Sequence, residues 1–107
     1  MNELDVLIVG AGTAGQTAAF DLAAEGYRVA VVDKSDTPGG VCAQYGCQPK
    51  KWFYELTEII ARCNHLQGIG ITAPPSFNWH QVLVAKNNFT SEIPQTTVSN
   101  LKATGIE

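Results

Sequence analysis

Two cysteines, Cys42 and Cys47, stand four residues apart in the run Gly39-Gly-Val-Cys-Ala-Gln-Tyr-Gly-Cys-Gln-Pro-Lys-Lys51. Residues three to five apart become neighbours over one turn of helix, so a helix-like segment would let this pair close a disulfide with little distortion. A bridge across so short a loop adds little by the chain-entropy account, which favours long loops. Positive charge beside a thiol favours the thiolate, and Lys50 and Lys51 follow the pair directly. A short, closable pair next to cations reads as a redox couple rather than a structural staple.

The elements that must position this pair begin at the start of the chain. Val6-Leu7-Ile8-Val9 is a continuous apolar run, as expected of a strand buried on both faces of a parallel sheet. Gly10-Ala11-Gly12-Thr13-Ala14-Gly15 follows as a full G-x-G-x-x-G. In such a turn Gly10 permits the tight bend, Gly12 admits a pyrophosphate to the backbone, and Gly15 lets helix pack on strand. The residues from about Thr13 to Glu25 predict a helix with Ala14, Ala18, Leu22 and Ala23 on its packed face and Gly26 as its stop. Its N-terminus would turn its positive dipole end toward phosphate. A second apolar run, Val29–Val32, ends in Asp33, placed to accept hydrogen bonds from ribose hydroxyls. Strand, glycine turn, helix, strand and terminal acid together are a far stronger dinucleotide signal than the glycines alone.

Gly-Gly-x-Cys-x4-Cys-x-Pro-x-Lys, with the glycine turn ahead of it, resembles the flavin-dependent pyridine nucleotide-disulfide oxidoreductases. Glutathione reductase, dihydrolipoyl dehydrogenase, mercuric reductase and the large thioredoxin reductases belong to that family, and the paired lysines look most like its glutathione reductase branch. The resemblance implies an α/β, Rossmann-like FAD/NAD(P)-binding βαβ unit with parallel strands and flanking helices. It implies that FAD is held by Gly10, Gly12, Thr13, Ala14, Gly15, Asp33, Lys34, Gly40 and Val41, and by Cys42, Cys47, Lys50 and Lys51 on the flavin side. Cys42 would be the interchange thiol that attacks the substrate, and Cys47 the thiolate against the flavin. Lys50, with Lys51 as the alternative, would stand near the flavin N5. Two positions depart from the family pattern. Asp33 stands where Glu is usual, one methylene shorter, and Val41 stands where Thr is usual, without its hydroxyl.

By that resemblance the 107 residues correspond to the first part of an FAD-binding domain. The βαβ unit spans 4–33, the redox loop and its helix 39–66, and a helical segment 78–103. Members of the family carry, further along, a second glycine fingerprint for NAD(P)H and an interface domain with a His-Glu pair. The chain is therefore expected to be an N-terminal fragment that cannot complete the reaction alone, its hydride arriving from NAD(P)H through a missing domain. The full-length enzyme is expected to be a homodimer. Two strands make a poor parallel sheet, so the isolated chain is expected to be marginally stable and to self-associate.

The remaining residues supply scaffolding. Lys34–Pro38 is a polar, turn-rich loop. Pro49 suits the first turn of a helix whose apolar face is Phe53, Leu56, Ile60 and Cys63, with Cys63 a core residue. Gly68 and Gly70 end it, and Pro74-Pro75 makes a stiff elbow. Asn78 with Gln81 predicts a capping box, and Phe77 with Val82 a hydrophobic staple, for a helix starting near Trp79. Pro94 divides the helical C-terminal stretch into a segment to about Ser91 and another around Gln95–Lys102, with Gly105 as the stop. Another strand is expected to begin near Glu107.

Net charge is −3 with no Lys/Arg cluster, which argues against a nucleic-acid surface, and no apolar run approaches the ~20 residues of a membrane span. The N-terminus has no secretory pattern, and three cysteines then favour a reducing, cytoplasmic setting and a part in cell redox homeostasis. No metal site is expected, because Cys42, Cys47, Cys63 and His65 match no common zinc spacing. His65 and His80 read as surface residues, and Trp52, Phe53, Tyr54 and Trp79 as packing. The partner is a small-molecule or protein disulfide. The competing function is a free-standing nucleotide-binding or thiol-switch module without complete catalysis.

Overall fold

The computed structural model describes residues 3–107. β1 (Val6–Val9) and β2 (Val29–Val32) form a parallel pair joined by α1 (Thr13–Ala24). Val6 stands opposite Val29 and Val9 opposite Val32, and the ladder continues as the Gly10 N–H donates to the Val32 carbonyl at 2.7 Å. Two β-branched runs separated by a helix fold this way because parallel strands need a crossover between them. The start of the pair is clamped by Asp5, whose Oδ2 accepts from the Arg28 backbone N–H at 2.8 Å and whose carboxylate also takes the Arg28 guanidinium. Those bonds, the guanidinium first, hold the Asp5 carboxyl below its ordinary range.

The far edge of β2 is occupied as well. The Val31 N–H donates to the Glu107 carbonyl at 2.7 Å, and the Glu107 N–H donates to the Val29 carbonyl at 3.1 Å. That alternation is the parallel pattern. The chain therefore begins pairing as a third parallel strand beside β2 at the position the resemblance implies.

The remaining helices are α2 (Gly40–Gln44), α3 (Cys47–His65), α4 (Trp79–Ser91) and α5 (Ile93–Ala103). Asn78 caps α4, its side chain accepting from the Gln81 N–H at 3.1 Å, as the sequence pattern predicts. Pro94 sits in the first turn of α5, where its missing N–H costs nothing, so the helices part at Glu92 and Ile93 is itself helical, although the residue before a proline is expected to be pushed away from helical angles. Gly26 and Gly105 follow α1 and α5 with φ of +91° and +78°, the left-handed stop that glycine adopts without strain.

The core is small. Ala19 of α1, Val29 of β2, Leu101 of α5 and Ile106 are buried together, with Val6, Ile8, Leu22 and Val31 packed around them. α1 and the end of α5 thus cover one face of the sheet. The other face carries Leu7, Val9 and Val32, which are 58%, 82% and 46% exposed. The expectation of strands buried on both faces is corrected here, since among the described residues only Ala30 of that face is buried. The packed face of α1 also differs from expectation. Ala14 and Ala18 are exposed, while Ala19 is buried and Leu22 and Ala23 partly so. A helix rich in small residues has little contrast between its faces, so the fold rather than the pattern sets its rotation.

α3 and α4 stand out from this body and give the molecule extents of 70 × 25 × 19 Å. Aromatic pairs join them. Trp52 stacks on Phe89 with centroids 5.9 Å apart, and Phe53 on Trp79 at 5.5 Å. Phe53, Leu56, Ile60 and Cys63 do form the inner face of α3, yet all four are only half-buried. Cys63 is therefore not a core residue, because two helices alone cannot enclose the face on which it lies. No helix among the described residues is long and apolar enough to cross a membrane.

Candidate functional site

The three glycines of the turn are required for three different reasons. Gly10 has φ of +107°, a conformation L side chains rarely adopt. Gly15 has no such constraint, but a Cβ there would overlap the Gly10 carbonyl oxygen and approach the Ile8 side chain. Gly12 has an extended backbone (φ −77°, ψ −177°), and a Cβ on it would meet nothing closer than the Gly40 Cα at 3.7 Å. The fold itself thus does not demand glycine at Gly12. The demand that remains is close approach by something the chain binds. Gly12 is also the N-cap of α1, with no side chain satisfying the first-turn N–H groups and no acidic residue in that turn. Open N–H donors at the positive end of a twelve-residue helix suit a pyrophosphate. The residues present fit a dinucleotide.

Asp33 closes the turn from the side. Its Oδ2 accepts from the Ala11 N–H at 2.7 Å and its Oδ1 from the Ser35 N–H at 2.8 Å. These donors, the Ala11 N–H first, pull its carboxyl below the usual range. The shorter acid therefore engages its own backbone. Each oxygen still has a second lone pair, so a ribose hydroxyl can be accepted without breaking either bond. Lys34 is exposed beside it.

The cysteine segment is not one helix. α2 ends at Gln44, Tyr45 and Gly46 break the chain, and Cys47 opens α3 as its first residue. The pair faces across this bend rather than along a helical turn, and both are free thiols, each shifting the ionisation of the other. The Cys47 S–H beside it lowers the proton affinity of Cys42, helped by the Thr13 hydroxyl and by Lys51. The same contact raises Cys47, against which Lys50 and the α3 N-terminus act more weakly. The dithiol loses its first proton more readily than a lone cysteine and its second less readily. Lys51 acts on the Cys42 side of the pair and Lys50 on the Cys47 side. Val41 is 72% exposed and Gly40 half-buried.

The glycine turn and the cysteine segment come together at the backbone of Gly12 and Gly40. A Cβ on Gly40 would lie 2.5 Å from the Gly12 Cα, and Gly40 has φ of +81°. Gly39 is equally constrained, with φ of +136° and Ile93 of α5 against it. Gln44 is buried and its Nε2 donates to the Thr37 carbonyl at 2.8 Å, tying the preceding loop to α2. Sequence reasoning named neither Gly39 nor Gln44 as a site residue. The glycine pair was the available signal, since two adjacent glycines mark close backbone approach.

Beside the pair lies a cavity of about 510 Å³ between α1, α5 and the start of α3, lined among others by Thr13, Phe20, Gln48, Ile93, Thr96 and Asn100. Its α5 wall had no signal in the sequence, because no motif marks those residues. Among the described residues no three His, Cys, Asp or Glu side chains converge as a metal site would need.

Comparison with known proteins agrees with this geometry. Residues 8–56 match the model of the NAD(P)-binding Rossmann-like domain. The chain is 27% identical over 107 residues to dihydrolipoyl dehydrogenase of Acholeplasma laidlawii, covering 98% of this chain and 32% of that protein. It is 35% identical over 91 residues to dihydrolipoyl dehydrogenase of Mycoplasma pneumoniae, covering 83% and 20%. To glutathione reductase of Schizosaccharomyces pombe it is 26% identical over 104 residues, covering 95% and 22%. Among solved structures, the Cu(II) complex of the HOCl-induced flavoprotein disulfide reductase RclA from Escherichia coli superposes with a TM-score of 0.69 at 26% identity, over 100% of this chain and 21% of that one. The chain thus spans between a fifth and a third of the length of these relatives. With the glycine turn and the cysteine pair in contact, these likenesses lead to one conclusion: the chain belongs to the pyridine nucleotide-disulfide oxidoreductase family.

Proposed function

We propose that this chain is the FAD-binding and redox-disulfide part of an NAD(P)H-dependent flavoprotein disulfide reductase. The observation that carries the reading is the backbone contact of Gly12 with Gly40, which fixes a dinucleotide turn against a dithiol. FAD supplies two-electron transfer between a nicotinamide and a thiol pair. Residues 4–33 hold the dinucleotide at the α1 N-terminus and Asp33, residues 39–66 carry the dithiol, and residues 78–103 wall the cavity beside it. Cys42 attacks one sulfur of the substrate disulfide and releases the other as a thiol. Cys47 then attacks Cys42 in the mixed disulfide, freeing the second thiol and leaving Cys42–Cys47 oxidised. Lys50 and Lys51 keep positive charge beside the sulfurs, and the cavity flanking Thr13 and Gln48 admits the substrate. The paired lysines favour a reductase of the glutathione type. NAD(P)H enters through a further domain of a homodimeric enzyme, and a reducing cytoplasm suits the dithiol.

The test is the visible spectrum of the purified chain with FAD, titrated with dithionite. The expected result is a bound flavin that gains long-wavelength absorbance on partial reduction, lost in Cys47→Ser. Bound flavin with a spectrum unaltered in Cys42→Ser and Cys47→Ser would overturn the role given to the dithiol and favour a nucleotide-binding module. Absence of flavin binding would overturn this chain's sufficiency as a cofactor site.

A further inference from the structure

We infer that Gln44 is a positioning residue for the dithiol: its side-chain amide ties the bend between Cys42 and Cys47 to the loop beside the dinucleotide turn, and so sets how readily the pair closes into a disulfide. The inference rests on the proposed reductase function only in taking Cys42 and Cys47 as a redox couple. Gln44 is the last residue of α2, between the two cysteines. It is 8% exposed, while Tyr45 and Cys47 beyond it are exposed. A buried amide keeps its hydrogen bonds, and the Gln44 Nε2 donates to the Thr37 carbonyl at 2.8 Å. Gly39 lies against this bond. A Cβ there would stand 3.2 Å from the Gln44 Nε2 and 3.3 Å from the Thr97 Oγ1 of α5, so the missing side chain leaves room for the amide.

The acceptor is itself anchored. The Thr37 N–H donates to the Ser35 Oγ at 3.1 Å, the Ser35 N–H to the Asp33 Oδ1 at 2.8 Å, and the Ala11 N–H of the glycine turn to the Asp33 Oδ2 at 2.7 Å. A run of hydrogen bonds therefore leads from the turn to the bend, and Gln44 is its last member. α2 has five residues, too few to hold a helix by propensity alone, so its place depends on outside contacts. The two cysteines stand on either side of the bend, Cys42 in α2 and Cys47 at the start of α3. How often their sulfurs meet is an effective concentration, set by how firmly α2 is held against α3. A pair held facing closes more readily than one released, so loss of the amide bond moves the balance from disulfide toward dithiol.

The redox equilibrium of the 107-residue chain with glutathione tests this. Two glutathione thiols reduce the Cys42–Cys47 disulfide to the dithiol and leave as one glutathione disulfide. Remaining thiols are trapped with iodoacetamide and the cysteine peptides are read by mass spectrometry. Gln44→Met keeps the length of the side chain and removes the donor. It is expected to shift the equilibrium toward the dithiol about three- to ten-fold, a potential about 15–30 mV less negative. Gln44→Glu, which sets an acceptor against an acceptor, should shift it at least as far. Ser35→Ala frees the loop from its far side and should shift it the same way by less. Leu101→Ala loosens the sheet core but not the bend, and should keep the parent value. Circular dichroism reports the folded fraction of each variant, and if Gln44→Met fails to fold, Ser35→Ala at its exposed position decides. A Gln44→Met value equal to the parent, a shift of opposite sign, or an equal shift in Leu101→Ala would overturn the inference. A pair that forms with an unmoved value removes only the part given to Gln44. Cysteines that pair at no glutathione ratio remove the redox couple, and the proposed reductase with it.

Discussion

The two ends of this molecule are held together in different ways. At the sheet end, chain meets chain with little or no side chain between them: Gly15 against the Gly10 carbonyl, Gly40 against Gly12, Gly39 against Ile93. At the other end, α3 and α4 meet through aromatic rings whose residues stay largely exposed, Trp52 at 38%, Trp79 at 51% and Phe89 at 44%. Backbone contact allows one spacing, since no rotamer can absorb an error. Ring stacking allows many, since side chains repack. The glycine turn and the cysteine pair lie at the rigid end, where a sulfur pair and a cofactor turn need fixed separation.

Substitutions should separate the two ends by the size of their effects. The largest is expected for Gly15→Val, whose Cβ cannot be placed without moving the Gly10 carbonyl. It should destabilise the fold by about 3 kcal/mol or more and abolish cooperative melting followed by circular dichroism. A melt like that of the parent would show that the turn is not rigid. Next is Leu101→Ala, which empties part of the small core and should cost about 2–3 kcal/mol in urea unfolding. At the aromatic end Trp52→Ala removes one stack and should cost about 1 kcal/mol, with the flavin and alkylation behaviour of the dithiol unchanged. Equal losses from Trp52→Ala and Leu101→Ala would erase the contrast.

The smallest effect concerns pH. Asp33 and Asp5 both have proton affinities lowered by backbone or guanidinium donors in the folded chain. Each therefore contributes stability that is complete above the unfolded carboxyl value, about 4. That stability is lost as pH falls through the lower folded value. Asp33→Asn should flatten this acid limb, while the stability of the Trp52→Ala variant should keep it. An acid limb unaltered in Asp33→Asn would exclude the carboxylate from holding the turn.

Much of the rigid end was legible because glycine has few reasons to be where it is. The turn at Gly10–Gly15, the strands on either side and the stops at Gly26 and Gly105 follow from local chemistry. So does the Asn78 cap, and Pro94 signals the division of the C-terminal helices, which falls at Glu92 ahead of it. The features that local chemistry does not disclose depend on partners distant along the chain. The rotation of α1 is set by Leu101 and Ile106, far along the chain, which bury Ala19 instead of Ala18. The open face of the sheet at Leu7 and Val9 could not be read from an apolar run, since such a run states preference and not what covers it. The bend at Tyr45–Gly46 was hidden by a spacing that a single helical turn would also satisfy. The second half of the site, from Thr13 to the α5 wall, exists only once α1, α2 and α5 converge.

The contact of Gly12 with Gly40 also limits how chains of this kind can vary. Where two stretches of main chain touch directly, mutation has no side chain with which to adjust their distance. The spacing between turn and thiols is then inherited unchanged, and divergence in redox behaviour is confined to the periphery. Thr13, Val41, Lys50 and Lys51 are such positions, each able to alter charge or hydrogen bonding without moving a sulfur. Diversification here acts on the tuning of a fixed geometry, and sequence comparisons among relatives should find their functional differences in that ring of residues around an immobile hinge point.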